Sequence, residues 1–315
     1  MRHDLKILFI ASGNGRHGLS PFIDSQRKSL DNYCDVHLYT VKGKGFIGYL
    51  RNLYTLKECI ESGKYDLIHA HYGLIGYLSL FVKKNIPMVL SLMGSDVYGS
   101  YDVASWGMKN LVVKFCTRKA VRNSNYVIVK SENLLNEIGP IDNVSIVPNG
   151  VDFDWYKERD SNYDNLKVLS IVDPNCKRKN YALAVEAFKS VRTRDALLFN
   201  PFPVSKKDVV QEIRSSAVVL LTSLNEGSPN IVKEAMACNV PVVSTDVGDV
   251  RELFSGATGC YITSFDANDV AISIDKALAF NKNTNGREVL EHLEIDNVAK
   301  KIYNIYKKVS QVYET

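Results

Sequence analysis

What this 315-residue chain has little of excludes several classes of protein. Its six cysteines (Cys34, Cys59, Cys116, Cys176, Cys238 and Cys260) are scattered, with no CxxC or CxxxxH spacing. That suggests neither a zinc site nor a disulfide scaffold, and reduced thiols in a cytoplasm are the default. No apolar run is long enough to span a bilayer. The formal net charge of +4 is too small to argue for nucleic acid as a partner. There is no low-complexity tract and no repeat of fixed short period. At 45% hydrophobic and 23% charged, the composition is that of a soluble globular protein. Its length suffices for two ordinary domains.

What is present is an alternation of apolar runs and helix-friendly segments, the repeating unit of a parallel sheet. The most informative stretch is Leu220 to Phe254. An apolar run ends in the loop Leu224–Ser228, followed by Pro229, a helical segment NIVKEAMAC, the run VPVVST and a Gly-containing turn, Asp246–Asp249. Ser228 is expected as N-cap and Pro229 as first helical residue. Glu226 then sits in the loop, and Glu234 between one and two turns into the helix. A helix N-terminus holds a diphosphate through its free N–H groups. Carboxylates beside it accept hydrogen bonds from sugar hydroxyls, so Glu226 suits a transferred sugar and Glu234 a ribose. Taken singly, each glutamate reads more readily as a solvated acid.

Other stretches carry chemistry of their own. Leu5 to Ala11 reads as a first buried strand, not a signal peptide, because a Gly-rich loop follows it. Gly13, Gly15 and Gly18 in that loop satisfy GxGxxG, but the acid expected at the end of the second strand is missing, which argues against a dinucleotide fold. A helix is expected over residues 48–62. Asp66 to His71 is a strand whose C-terminal end faces a ligand crevice. His69 reads as a hydrogen-bonded core histidine, and His71, at the tip, as a site residue. Asp96, after the next strand, suits either orientation of an acceptor hydroxyl or an N-cap. Residues 106–123 form an amphipathic helix with Lys109, Lys114, Arg118, Lys119 and Arg122 and no acid. Such a face suits anionic lipid or simple solvation. Pro148–Asp152 reads as a hinge. Strands are expected over 166–172 and 256–263, and helices over 266–280 and 295–313. Lys177, Arg178 and Lys179 follow the first of these strands, and a diphosphate leaving group needs cations where no Mg²⁺ is held. Phe202 suits either a nucleobase or the core.

The stretch from Glu226 to Glu234 resembles the E-x7-E signature of the retaining GT-B glycosyltransferases of family 4, and the resemblance continues to Asp249. Asp66–Gly73, Gly94–Asp96 and Pro148–Asp152 are similar to further family motifs. The version around Asp173–Asn180 resembles a subgroup of teichuronic-acid and other cell-surface polysaccharide pathways. Two family residues are missing. Met93 stands where a histidine is usual, and Asp173 follows Val172 where an arginine is usual, so Arg178 or Lys177 is expected to substitute.

The resemblance implies an α/β fold with two Rossmann-like parallel-sheet domains facing a cleft. Residues 1–150 would bind the acceptor and 151–294 the nucleotide sugar, with a C-terminal helix, 295–315, crossing back to the first domain. It implies transfer from a nucleoside-diphosphate sugar to a glycan or lipid-linked acceptor with retention, no metal or other cofactor, and a cytoplasmic location with peripheral contact at the inner membrane face. Glu226, Lys179, His71 and Asp96 would be catalytic. Gly15, Arg178, Gly227, Ser228, Pro229, Asn230, Ile231 and Glu234 would contact the donor. The alternatives are a nucleotide-sugar-binding protein without catalysis, and an epimerase or glycosidase; a glycosidase would need two carboxylates across one bond.

Overall fold

In the computed structural model, the described residues are 5–15, 18–43, 45–99, 107–160 and 165–314. The chain divides into two units, Met1–Gly150 with Ile295–Thr315, and Val151–Glu294.

The first unit holds six parallel strands: β1 (Lys6–Ser12), β2 (Asp35–Val41), β3 (Leu67–His71), β4 (Met88–Ser91), β5 (Tyr126–Val129) and β6 (Val144–Ile146). Their order is β2-β1-β3-β4-β5-β6. Strands β3, β4 and β5 are buried along their whole length. A parallel sheet covered by helices on both faces requires such unbroken apolar runs. The order of strand addition reverses between β1 and β3. In open α/β sheets, ligands bind outside the carboxyl ends of the strands at this switch point. The Gly-rich loop after β1 and His71 at the end of β3 both lie there.

The C-terminal helix Ile295–Glu314 belongs to this unit. It is tied down where Tyr306 meets His69 and where Tyr33 donates to Asp296 at 2.8 Å. The helix expected over 48–62 runs from Gly45 to Gly63. The basic helix spans Gly107–Arg122; Trp106 and the Lys109 side chain lie outside the described residues.

The second unit repeats the plan with β7 (Lys167–Leu169), β8 (Leu197–Phe199), β9 (Val218–Leu221), β10 (Val242–Thr245) and β11 (Cys260–Thr263), all parallel, in the order β11-β10-β9-β7-β8. Its switch point falls between β7 and β9. Strand β7 ends at Leu169, short of its apolar run, and beyond it the Asn200 amide donates to the Val172 carbonyl at 2.9 Å. Strand β11 starts only at Cys260, since Gly256 and Gly259 turn the chain with φ of +81° and +74°. Among the described residues, no helix is long and apolar enough to cross a membrane.

Candidate functional site

The loops after β7 and β9 meet at the second switch point, and the chemistry concentrates there. Glu226, in the loop before the helix Asn230–Ala237, lies between two cations from the β7 loop. Lys179 Nζ is 2.6 Å from one carboxylate oxygen and Arg178 Nη1 is 2.7 Å from the other. Ser223 donates to Glu226 at 2.9 Å. Hydrogen bonds to backbone carbonyls weld the loops together: Leu224 N donates to Arg178 O at 2.8 Å, and Thr222 Oγ1 to Asn180 O at 3.0 Å. Burial alone would raise the Glu226 carboxyl, but Lys179 and Arg178 outweigh it and hold the group below its ordinary range. Arg178 thus joins the cluster, while Lys177 is exposed. Glu226 sits in the loop as expected, and it is not a solvated acid, because both its oxygens are engaged by cations.

The role expected of Ser228 is also corrected. The helix starts at Asn230, with Pro229 in the N-cap position and no side-chain cap. Ser228 Oγ instead donates to Asp249 at 2.6 Å and accepts from Lys233 Nζ at 2.9 Å. Lys233 is fully buried and Asp249 is 6% exposed. Sequence reasoning passed over Lys233, which looks like a surface partner of Glu234. The available signal is Ala237 one turn on, which marks that side of the helix as apolar. Gly248 closes the site from below. Its φ is +62°, and a Cβ there would stand 2.8 Å from the Gly227 carbonyl oxygen.

Glu234 is reached by the buried Tyr156 hydroxyl. Burial pushes its carboxyl up, partly offset by that hydrogen bond and by Lys233 and Lys206. Phe202 is half-buried and precedes Pro203 through a cis bond.

In the first unit, His69 Nε2 meets Ser91 Oγ at 2.7 Å and Nδ1 meets the Tyr306 hydroxyl, so it is a satisfied core histidine. His71 is equally buried, yet among the described residues neither ring nitrogen has a hydrogen-bond partner. Its ring stacks on His69 at 4.1 Å and leans on Phe9 at 4.7 Å. It lines a cavity of about 700 Å³ with Gly15, Gly18, Tyr49, Met93 and Ser95. Burial, with Lys130 as a lesser cause, lowers its pKa to about 3, so the imidazole is neutral. A neutral ring presents one donor and one acceptor nitrogen.

Asp96 is the clearest correction. It is fully buried, and it accepts from Gly73 N at 2.9 Å, Met93 N at 3.0 Å and Gly94 N at 2.9 Å. It sits inside the short helix Ser95–Tyr98. Its carboxylate is consumed in pinning the loop beside His71. It is therefore neither aimed at an acceptor nor an N-cap of the following segment.

Two doubly wound parallel sheets, the second with a cation–carboxylate cluster at its switch point, define a GT-B glycosyltransferase. Among solved structures, a sucrose-phosphate synthase from Thermosynechococcus elongatus superposes with a TM-score of 0.78 at 16% identity, covering 98% of this chain and 100% of that one. HepE of Anabaena, solved with UDP and glucose, superposes at 0.72 with 16% identity, over 95% and 98%. The family description Glycosyltransferase Family 4 matches residues 8–155, and Glycosyl transferases group 1 matches residues 194–279.

The chain is thus a glycosyltransferase of the GT-B type, with a family 4 match over its first part and a group 1 match over its second. It is 27% identical to an uncharacterized glycosyltransferase of Methanocaldococcus jannaschii, over 87% of this chain and 84% of the relative. It is 25% identical to the N-acetyl-alpha-D-glucosaminyl L-malate synthase of Bacillus anthracis, over 81% and 77%. It is also 25% identical to a Bacillus subtilis glycosyltransferase named for teichuronic acid biosynthesis, over 60% and 55%.

Proposed function

We propose that this protein transfers a hexose-type sugar from a nucleoside diphosphate to a hydroxyl of a glycan or lipid-linked acceptor, with retention, in cell-surface polysaccharide synthesis. The observation that carries this reading is the cluster of Lys179, Arg178 and Glu226 beside the start of the helix Asn230–Ala237. A diphosphate entering there exchanges with Glu226 for the two cations, and the released carboxylate accepts hydrogen bonds from the sugar. Lys179 and Arg178 stabilise the charge that develops as the bond from the anomeric carbon to the phosphate oxygen breaks. The acceptor oxygen attacks from the same face, and its proton passes to the departing phosphate oxygen, so no protein nucleophile is needed. With cations on the leaving group, the reaction needs no metal. Glu234, already reached by Tyr156, has its remaining lone pairs for a ribose, and neutral His71 orients the acceptor.

Solved HepE carries UDP and glucose, one Bacillus relative is named a glycosyltransferase and the other a glucosaminyl malate synthase, which supports a nucleotide-sugar donor. A glycosidase is disfavoured because Glu226 is held low by cations and cannot serve as a proton-donating acid. A binding-only protein, suggested by Met93, would bind donor without turnover.

The acceptor side extends to a membrane. On the helix Gly107–Arg122, Leu111, Val112 and Phe115 are 69%, 54% and 55% exposed. At 100° per residue they share one face with Lys114, Arg118, Lys119 and Arg122. Apolar side chains interleaved with cations and no acid suit an anionic bilayer.

A panel of UDP-, GDP- and ADP-sugars should contain one donor that raises the melting temperature. With that donor and an acceptor, the glycoside formed should keep the anomeric configuration, and EDTA should leave turnover unchanged. Absence of stabilisation by any donor, an inverted product, or free sugar as the main product would each defeat the assignment. Flotation with phosphatidylglycerol vesicles should be lost in Phe115→Glu; flotation equal to that of the parent would remove the membrane contact.

A further inference from the structure

Lys233, Ser228 and Asp249 form a hydrogen-bonded chain, and of the three the sequence gives a role only to Ser228. Lys233 Nζ lies 2.9 Å from Ser228 Oγ, which lies 2.6 Å from Asp249 Oδ2. A lysine is almost never fully buried unless paired, and Lys233 is 0% exposed. Taking an ammonium out of water is costly, and an apolar side chain of similar volume would serve stability as well or better. What the pair adds is direction. The chain meets at the hydroxyl of Ser228, in the loop between Glu226 and the helix start. The turn that carries Asp249 touches the same loop a second time, where Gly248 packs on the Gly227 carbonyl.

We propose that Lys233 is a positioning residue for donor binding. Reaching from inside the fold, and acting with Asp249, it fixes Ser228 and so holds the Gly227–Ser228–Pro229 backbone in the geometry that receives the donor diphosphate. This rests on the reading of that loop as the diphosphate site. Burial pushes the Lys233 ammonium down to about 8, against the pull of Asp249 and Glu234. It is therefore mostly charged at neutral pH and holds its hydroxyl partner as a charge-assisted donor.

The test uses calorimetry with UDP, GDP and ADP, together with donor KM and kcat, on four variants. Ser228→Ala removes the middle of the chain. Asp249→Asn keeps the shape and the serine. Lys233→Met combined with Asp249→Leu removes both charges and keeps the serine, and Ser228→Thr retains the hydroxyl. The first three should raise the nucleoside-diphosphate Kd and donor KM about tenfold or more. Their kcat should stay within about threefold of the parent, and Ser228→Thr should recover most of the affinity. Parental KM in folded Ser228→Ala would overturn the proposal. An effect confined to Ser228→Ala would also overturn it, since the hydroxyl would then touch the donor itself. Should the double variant fail to fold, Ser228→Ala and Asp249→Asn decide. A parent protein that binds none of the three diphosphates refutes the diphosphate site and this proposal with it. Binding by the parent with unchanged variants refutes this proposal alone.

Discussion

The cluster around Glu226 makes an unusual prediction for Glu226→Gln: loss of transfer accompanied by tighter binding of the nucleoside diphosphate. In the parent protein, both cations that a diphosphate would need already hold a carboxylate, at 2.6 and 2.7 Å. The diphosphate must displace it. Fully exposed ion pairs contribute about 0.2–1 kcal/mol each. Here the Glu226 side chain is 12% exposed and the cations 26% and 24%, so both pairs belong near the top of that range. Neutralising the carboxylate should therefore release about 1–2 kcal/mol, which is roughly 5- to 30-fold in affinity. Glutamine keeps an oxygen for Ser223, and the freed cations are exposed enough to be solvated, so the fold should survive.

Transfer should fall by about 10²-fold or more, because a neutral amide grips the sugar hydroxyls less well as charge develops. The counterpart is Lys179→Ala, which should weaken diphosphate binding about tenfold. Calorimetry with the diphosphate and product assay with the sugar donor read the two effects separately. Weaker diphosphate binding by Glu226→Gln, or full transfer activity, would refute the exchange of carboxylate for phosphate. A pH signature accompanies it. Because the cations hold the Glu226 carboxyl below its ordinary 4.5, its stabilising effect is complete above pH 4.5 and is lost as pH falls through the lowered value. Glu226→Gln should lose that part of the acid sensitivity in urea melts.

The two adjacent histidines should separate cleanly. His69→Phe strands the Tyr306 and Ser91 hydroxyls and should cost about 2–4 kcal/mol in denaturant melts. His71→Phe breaks no hydrogen bond and should stay within about 1 kcal/mol of the parent, while transfer drops about 10²-fold. With its pKa lowered to about 3, His71 resists the protonation an unfolded chain accepts near 6.5, so it costs stability as pH falls below 6.5, and His71→Phe should remove that loss. Gly248→Ala combines a left-handed φ of +62° with a Cβ 2.8 Å from the Gly227 oxygen. It should destabilise by about 1–3 kcal/mol and raise donor KM more than it lowers kcat; an unshifted KM would separate this turn from the donor loop.

The local layer was legible in the sequence. Unbroken apolar runs mark buried parallel strands, and the strand–loop–helix order around Glu226 follows from VVLL, Pro229 and NIVKEAMA. The site's pairings were not legible, because they join residues far apart along the chain. Ser228 has the composition of an N-cap, but its hydroxyl finds Asp249, 21 residues away. Local propensity cannot anticipate that competition between the helix amides and a tertiary partner. Asp96 failed for the same reason. An acid after a Gly-Ser pair looks exposed until three backbone amides, one of them from Gly73, are seen to surround it.

Among the described residues, the two switch points, built on one topology, differ electrostatically, and that difference suits a division of labour. The β7–β9 crevice gathers Lys179, Arg178 and Glu226 in ion pairs, with Lys233 and Asp249 beneath. Such a place suits a ligand that carries charge and releases more on reaction. The β1–β3 crevice offers neutral His71, hydroxyls and aromatic edges, and its described lining includes no ammonium or carboxylate. A hydroxyl-bearing sugar loses little in such a place, because a neutral imidazole can both accept from and donate to it. Had Asp96 projected into that cavity, its charge would have favoured a cation. Because the carboxylate is turned inward onto backbone amides, the fold keeps the rigidity an acid can impose on a loop without presenting a charge to the cavity.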